Sequence, residues 1–464
     1  MKILLIKPFI KYEARGNEVP PLGLAYIGAV LEKAGHTVKI LDRLTLKQSL
    51  DDFRAYLQQF SPDIVGITCM TPEYSAAIQD MLTVAEQLPD AIIIFGGNHP
   101  TLFPEDMLKD HSEIDYIVIG EGEVTFQELV AAIETQSNNL ETIKGIAFRE
   151  DAERIIITPP REFVKDLDSL PLPAYHLLPM DKYMFYHPKI EGRKYVMLIT
   201  SRGCPYKCSF CAHPVFGRKV RYRSIETVMK EIDFLVYRFG VHTLTFVDDT
   251  FITKQDRIVR LCNEIIQRDY ELLWSCVTNL HTVNRETLLK MREAGCIRIS
   301  YGVESADPIV LNAIHKSRRP GLTEEVFQMT REAGIESFAY FMLGLPGETK
   351  KTLRLNKKLI KTIQPDYIQF TVLTPFPGSE IFERHKDHLP HQWARYQMAN
   401  TKQRPLIQLG ELDFNEQLKA VRSMYRWFYL NPKFILKRLR KDIQNFQDLL
   451  FFIRKASLMV RNWF

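Results

Sequence analysis

The chain has 464 residues, of which 45% are hydrophobic and 25% charged; this is the balance of folded domains and excludes a disordered chain or a collagen-like repeat. At about 150 residues per domain, the length points to roughly three domains, or two and a tail. The net charge is +5, and the stretch from Asn431 to Phe464, with eight basic and two acidic residues, carries all of that excess; the remainder is near neutral, which argues against a nucleic-acid partner.

No apolar run approaches the roughly 18 residues of a membrane span. Met1-Lys2-Ile3-Leu4-Leu5-Ile6 is cationic and apolar, but it meets Lys7-Pro8 at once and lacks a small-residue cleavage site, so it reads as a first strand and not as a signal peptide. Seven cysteines, an odd number, do not make a disulfide framework, and a reducing cytoplasm is the expected home.

Residues 1–139 read as one module. Strands are predicted over 2–7, 37–41, 63–68, 91–95 and 116–119, with helices over 22–34, 51–60, 74–88 and 125–135. Strands joined by helical crossovers predict an α/β fold, a doubly wound, Rossmann-like parallel sheet of about five strands. Such sheets bind ligands beyond the C-terminal ends of their strands. Those ends carry Thr68-Cys69-Met70-Thr71, Gly96-Gly97-Asn98-His99-Pro100-Thr101 and Gly120-Glu121-Gly122-Glu123, where small residues let a ligand approach the backbone. Neither a strand-linked G-x-G-x-x-G nor a G-x-x-x-x-G-K-[ST] is present, which disfavours a dinucleotide and a nucleoside triphosphate.

Residues 140–190 change character. A hairpin-like segment over 145–149 and 154–158 precedes Pro159-Pro160, Pro171, Pro173 and Pro179, a linker expected to pack along both neighbouring domains. Residues 191–385 resume the alternation, with strands over 195–200, 243–247, 273–277, 297–303, 337–343 and 367–372. Six strand–helix units are too few for a closed eight-stranded barrel, so a partial (β/α)6 barrel of the TIM type is expected, its site on the loops that follow the strands. Residues 386–464 form a helical, amphipathic C-terminal region.

The strongest chemical signal is Cys204-Pro205-Tyr206-Lys207-Cys208-Ser209-Phe210-Cys211, directly after the first barrel strand. Thiolates suit iron–sulfur clusters or zinc. A cubane cluster has four corners, so three cysteines leave one iron open to a small molecule. Zinc would need a fourth protein ligand, and His213 is the nearby candidate, at a tight spacing. The scattered Cys69, Cys262, Cys276 and Cys296 read as buried core thiols.

The C-x3-C-x2-C spacing, with aromatic Phe210 before its last cysteine, resembles the radical S-adenosylmethionine (SAM) superfamily. The resemblance implies a [4Fe–4S] cluster on Cys204, Cys208 and Cys211, whose open iron chelates SAM and cleaves it to a 5′-deoxyadenosyl radical. It also implies SAM contacts at later strand ends: Asp248 and Asp249 toward the amino group, Glu304 and Ser305 toward ribose and carboxylate, and Gly344 beside the adenine. Read without the family, the paired aspartates are a helix cap and its neighbour, and Gly344-Leu345-Pro346-Gly347 is a turn.

The N-terminal segment is similar to the cobalamin-binding domain fused to one radical SAM subfamily, which includes carbon and phosphorus methyltransferases, the anaerobic magnesium-protoporphyrin ester cyclase and lipid-modifying enzymes. Pro20-Pro21-Leu22-Gly23-Leu24-Ala25-Tyr26, Gly96-Gly97-Asn98-His99-Pro100-Thr101, Pro104-Glu105 and Gly120-Glu121-Gly122-Glu123 carry the likeness. It implies that Pro21, Leu22, Gly23, Thr68, Met70, Thr71, Gly97, Asn98, His99 and Gly120 to Glu123 surround cobalamin. Three departures stand out. Lys7-Pro8-Phe9-Ile10-Lys11-Tyr12 replaces the D-x-H-x-x-G signature and offers cobalt no histidine, Asn279 stands where many members have arginine, and Ala306 stands where glycine is usual.

In the tail, Phe434, Ile435, Leu436, Leu439, Ile443, Phe446, Leu449, Leu450 and Ile453 recur mostly at three- and four-residue steps between basic residues. Such a helix lies on a membrane surface or folds onto the barrel. The expected enzyme is a cobalamin-dependent radical SAM methyltransferase acting on an unactivated carbon of a small-molecule or lipid-like substrate, with a reductant such as flavodoxin or ferredoxin. The alternatives are a radical cyclase, oxidase or rearrangement enzyme without methyl transfer, and a non-catalytic or zinc-binding protein docked at a membrane.

Overall fold

The computed structural model describes residues 1–9, 19–137, 139–151, 154–183, 193–212, 215–396 and 405–442. The replaced cobalt-ligand loop from Ile10, His213, and the tail from Ile443 lie outside the described residues.

The first sheet has seven strands: β1 (Lys2–Lys7), β2 (Thr37–Asp42), β3 (Ile64–Thr68), β4 (Ile92–Gly96), β5 (Tyr116–Val118), β6 (Ile146–Arg149) and β7 (Ile155–Ile157). Their order is β2-β1-β3-β4-β5-β6-β7. The first five are parallel. The sheet exceeds the expected five because the hairpin after the helix Gly122–Glu134 adds β6 and β7 antiparallel to its edge. The strand order reverses between β1 and β3, the position where open α/β sheets form a ligand crevice.

Both faces of this sheet are buried, as its β-branched runs require. One face packs Leu4, Ile6, Val65, Ile67 and Phe95 against Phe53, Leu57 and Met81. The other face, with Ile3, Leu5, Ile64 and Ile94, belongs to a core that continues through Tyr175, Leu178 and Tyr183 into the second sheet. The proline-rich stretch is the seam between them. Ala174 N–H donates to Ala25 C=O at 2.9 Å, the Tyr183 hydroxyl donates to Asp42 Oδ2 at 2.9 Å, and the Tyr175 hydroxyl donates to Glu231 of the second unit.

The second sheet begins with β8 (Tyr195–Leu198). A two-stranded antiparallel ribbon follows, β9 (Ser201–Arg202) with β10 (Arg221–Tyr222), and brackets the cysteine loop. The sheet continues through β11 (Thr243–Phe246), β12 (Leu273–Thr278), β13 (Cys296–Glu304), β14 (Glu336–Leu343) and β15 (Tyr367–Val372). Its six strands run in sequential order and all in parallel, with β8 and β15 as edges. This is the open partial barrel expected of six strand–helix units.

Helix Phe414–Tyr429 covers the β15 edge. The Tyr425 hydroxyl bonds both Phe370 N–H (3.0 Å) and Phe370 C=O (3.2 Å), and the Tyr429 hydroxyl does the same for Ile368 (3.1 and 2.7 Å). The next helix, Pro432–Asp442, returns to the bottom of the barrel. There Arg438, 2% exposed, pairs with Glu336 and Asp366 and donates to the Tyr367 hydroxyl. This part of the tail is therefore folded onto the barrel. Among the described residues no helix is long and apolar enough to cross a membrane.

Candidate active site

The cysteine loop is held by its neighbours on every side. Gly203, with φ +92°, donates its N–H to Asp249 Oδ2 at 3.2 Å. A Cβ at Gly203 would stand 2.5 Å from Lys219 C=O, so only glycine fits before Cys204. Cys204 N–H donates to Gly217 C=O at 3.3 Å, Ser209 N–H to Ile314 C=O at 3.1 Å, and Ile381 N–H to Ser209 C=O at 3.0 Å. Phe210 packs on a small core that includes Val310, Leu311, Ile314 and Leu345.

All three thiols of the loop are free. Burial pushes Cys204 and Cys208 up, and Cys211 up to about 12, where the charges of Cys208 and Cys204 add to the desolvation. Lys316 opposes the shift in all three. Ligation requires thiolates, so iron that displaces the protons also relieves the mutual repulsion. The donor set therefore fits a cluster: three soft ligands on one loop, while Cys69, Cys262, Cys276 and Cys296 are buried in the two cores. Among the described residues no three His, Cys, Asp or Glu side chains are already gathered round one metal position, the three loop cysteines included, and His213, the fourth ligand a closed zinc site would need, lies outside the described residues.

The later strand ends divide. Asp249 faces a cavity described below, whereas Asp248 is turned inward. Asp248 Oδ1 accepts from Thr200 N–H (3.1 Å), the Thr200 hydroxyl (2.9 Å) and the Ser201 hydroxyl (2.5 Å), so it ties down the chain that leads into the cysteine loop. Burial raises the Asp248 carboxyl, and these hydrogen bonds oppose the shift. Glu304 has φ +60° at a register shift between β13 and β14. The kink brings its carboxylate to Lys316 Nζ at 2.7 Å. Ser305 is 1% exposed and accepts from Asp307 N–H at 3.1 Å, a turn contact. Gly344, with φ +78°, donates its N–H to buried Glu348, whose carboxyl burial raises to about 7.

The cavity, about 360 Å³, lies over the C-terminal ends of β3, β4 and β5, with Leu5 of β1, and reaches the cysteine loop at Ala212. Gly23, Thr68, Met70, Gly97, Asn98, Gly120, Glu121, Gly122 and Glu123 line it from the first module. Ile199, Arg202, Ala212, Val215, Phe216 and Asp249 line it from the second. A Cβ on Gly23 or Gly120 would meet no atom within 4 Å, so these glycines leave room for a group lying on the strand ends. At Gly97, with φ +100°, a Cβ would stand 2.9 Å from Cys69 C=O, which holds the β4 turn close to β3. This glycine-lined, largely apolar cradle suits one face of a corrin ring and is too small to enclose the whole cobalamin.

Four residues assigned by resemblance do not line the cavity. Pro21 and Leu22 begin the helix Leu22–Lys33, and the Leu22 side chain is in the core. Thr71 and His99 are buried and paired, Oγ1 to Nδ1 at 3.2 Å. His99 packs edge-on against Tyr74 and Trp393 (4.9 and 4.8 Å between ring centroids), and burial pulls it down to about 4, so it is neutral. The expected glycine-rich loop after β4 is short because the chain enters a helix at Asn98.

Sequence reasoning missed Tyr26, Arg202 and Phe216 on the cavity wall and Lys316 beside the thiols. Arg202 and Lys316 had only their type as a signal. Tyr26 closes a segment already singled out for its likeness to a cofactor domain.

Comparison with known proteins agrees with this architecture. The B12 binding domain matches residues 13–130, and the radical SAM superfamily matches residues 198–360. An uncharacterized methyltransferase of Pyrococcus horikoshii is 33% identical over 448 residues, which cover 94% of each chain. The anaerobic magnesium-protoporphyrin IX monomethyl ester cyclase of Rubrivivax gelatinosus is 31% identical over 95% of this chain and 80% of its own. Among solved structures, the radical SAM methyltransferase TsrM of Kitasatospora setae, with cobalamin and a [4Fe–4S] cluster bound, superposes with a TM-score of 0.69 at 18% identity, covering 91% of this chain and 81% of that one. The cobalamin-dependent radical enzyme OxsB gives 0.68 at 18% identity over 94% of this chain and 56% of that one. These last two show a shared fold. The chain belongs to the radical SAM superfamily, in the group that carries an N-terminal B12-binding domain, and is an enzyme whose cofactors are a [4Fe–4S] cluster, SAM and cobalamin.

Proposed function

We propose that the enzyme methylates an unactivated carbon of an apolar, lipid-like or natural-product substrate lodged between its two sheets. When bound, the cofactors supply a 5′-deoxyadenosyl radical, from reductive cleavage of SAM, and a methyl group carried on cobalt. Cys204, Cys208 and Cys211 hold three corners of the cluster and leave the fourth for SAM. Glu304 and Lys316, paired beside the thiols, offer one carboxylate and one ammonium to a zwitterionic ligand. Gly344, at the end of β14, keeps the turn that family likeness assigns to the adenine side, packed against Gln417, and Asp249 reaches into the cavity from the barrel. Gly23, Gly97, Gly120 and Gly122 form the floor that would take a flat group such as the corrin. The apolar walls, with Leu5, Ile67, Ile94, Val118 and Phe126, would help keep water from a bound cofactor.

The observation that carries this reading is the shared lining. One cavity touches both the glycine floor and Ala212, the neighbour of Cys211. A reductant such as flavodoxin or ferredoxin provides the electron. Lys433 and Leu436, exposed on the last described helix, suit contact with an anionic membrane surface from which a lipid-like substrate would come.

A second reading, radical cyclisation or oxidation without methyl transfer, draws support from the 31% identity to the cyclase. The experiment is anaerobic reconstitution with iron, sulfide and hydroxocobalamin, followed by analysis of SAM-derived products. S-adenosylhomocysteine beside 5′-deoxyadenosine supports methylation. 5′-Deoxyadenosine alone over many turnovers removes it and leaves the second reading.

A further inference from the structure

Two acidic residues on the cavity floor do not face the cavity as free ligands; they reach across to the cysteine side. Glu121 Oε1 accepts from Arg202 Nη1 at 2.9 Å, and Glu123 Oε1 accepts from Arg202 Nη2 at 2.5 Å. Glu121 Oε2 accepts from Arg221 Nη1 at 2.8 Å and from Val164 N–H at 2.8 Å. Arg202 and Arg221 are themselves the cross-strand pair of the β9–β10 ribbon. All four side chains are at most 7% exposed. The Arg202 guanidinium lies over the rings of Tyr26 and Phe216, 5.2 and 5.0 Å from their centroids, and its two carboxylate neighbours hold it charged against the cost of burial. Two cations and two anions are thus closed on one another with little water between them.

Their positions give the network its meaning. Glu121 and Glu123 alternate with Gly120 and Gly122 in the glycine floor. Arg202 stands two residues before Cys204, joined to it only by the tightly fitted Gly203. A planar fork that engages two carboxylates fixes distance and angle together, which a lysine ammonium does not. We propose that Arg202 is a positioning residue which, through Glu121 and Glu123, sets the registry of the thiol loop against the glycine floor, and with it the separation of the two bound cofactors. This role rests on the two-cofactor cavity proposed above. A displacement of about 1 Å between reacting groups can lower a rate about 100-fold, so such a strut bears on function without touching substrate.

The test reads geometry and not turnover. Wild-type, R202K and E123Q proteins are reconstituted anaerobically with iron, sulfide and hydroxocobalamin, and reduced so that the cluster and cob(II)alamin are both paramagnetic. Pulsed paramagnetic resonance then measures the dipolar distance between them. R202K keeps the charge and loses the fork; E123Q removes the charge of one arm, leaving a neutral amide oxygen as a weaker acceptor, and leaves Glu121 on both arginines. The expected result is full iron and cobalt content in the variants with a shifted or broadened distance distribution. A variant that holds both groups at the wild-type distance and width overturns the proposal. If R202K does not fold or load, E123Q is judged by the same criterion. Failure of both variants to fold assigns the network to stability alone and also overturns it. Failure of the wild-type protein to bind cobalamin would instead sink the two-cofactor reading, and that outcome is visible before any variant is compared.

Discussion

Replacing Gly203 by alanine separates the cysteine loop from the rest of the fold. The position has φ +92°, a conformation that costs a non-glycine residue about 1–3 kcal/mol. The new methyl group would also sit 2.5 Å from Lys219 C=O and 3.2 Å from Gly217 C=O. Both acceptors are backbone, so relief means moving the chain, at about 1–3 kcal/mol more. The sum, roughly 2–6 kcal/mol, falls on a ribbon of two residues per strand whose hydrogen bonds are each worth about 0.5–1.5 kcal/mol. The loop therefore opens locally while the two cores persist. Gly240 is the control. It has φ +64° and no atom within 4 Å of its Cβ position, so G240A costs about 1 kcal/mol at the end of the helix Ile225–Phe239 and leaves the cysteines alone. Iron and sulfide per chain after anaerobic reconstitution, read beside a thermal melt, decide the matter. G203A should lose most of its iron with a nearly unchanged melt, and G240A should keep its iron. Wild-type iron content in G203A would refute the account of the loop.

G23L places a side chain in the cradle while improving the helix that begins at Leu22. Hydroxocobalamin should bind about 10- to 100-fold more weakly, the equivalent of roughly 1–3 kcal/mol of overlap, with stability unchanged or slightly raised; retained binding by absorbance titration would count against the cradle. Glu348 has its carboxyl raised by burial from 4.5 to about 7, so the folded protein holds a proton that the unfolded chain has lost. Stability from this group is fully present below pH 4.5 and is lost as pH rises through about 7, by about 3 kcal/mol at most. Urea titrations across that range should show E348Q without this decline, and parallel curves for the two proteins would contradict it.

The elements were legible in the sequence because hydrophobic runs of four to six residues between helix-length segments leave few alternatives. The thiol trio was legible because all of it lies within eight residues. What escaped was non-local or depended on direction. Asp248 and Asp249 are adjacent, and only the twist of the strand end decides that one faces inward and the other the cavity. Arg202 meets Glu121 and Glu123 across separations of 81 and 79 residues, which no local pattern encodes. The strands β9 and β10 have two residues each, too few for a periodicity. His99 shares its loop with true lining residues, yet the helix that starts at Asn98 turns it into an aromatic cage completed by Trp393, nearly 300 positions later.

The two tyrosines on β15 bear on how an unclosed barrel ends. Residues four apart on a helix rise about 6 Å, close to the roughly 6.6 Å between alternate residues of a strand, so one helical turn of hydroxyls imitates the ladder of a missing seventh strand. The sheet is finished by side chains instead of by backbone. A stray peptide finds no vacant groups at Ile368 or Phe370 to pair with, and the border stays non-adhesive without the chain having to circle back on itself. A truncation upstream of residue 414 would expose that border again, and the shortened chain would then be prone to associate through β15.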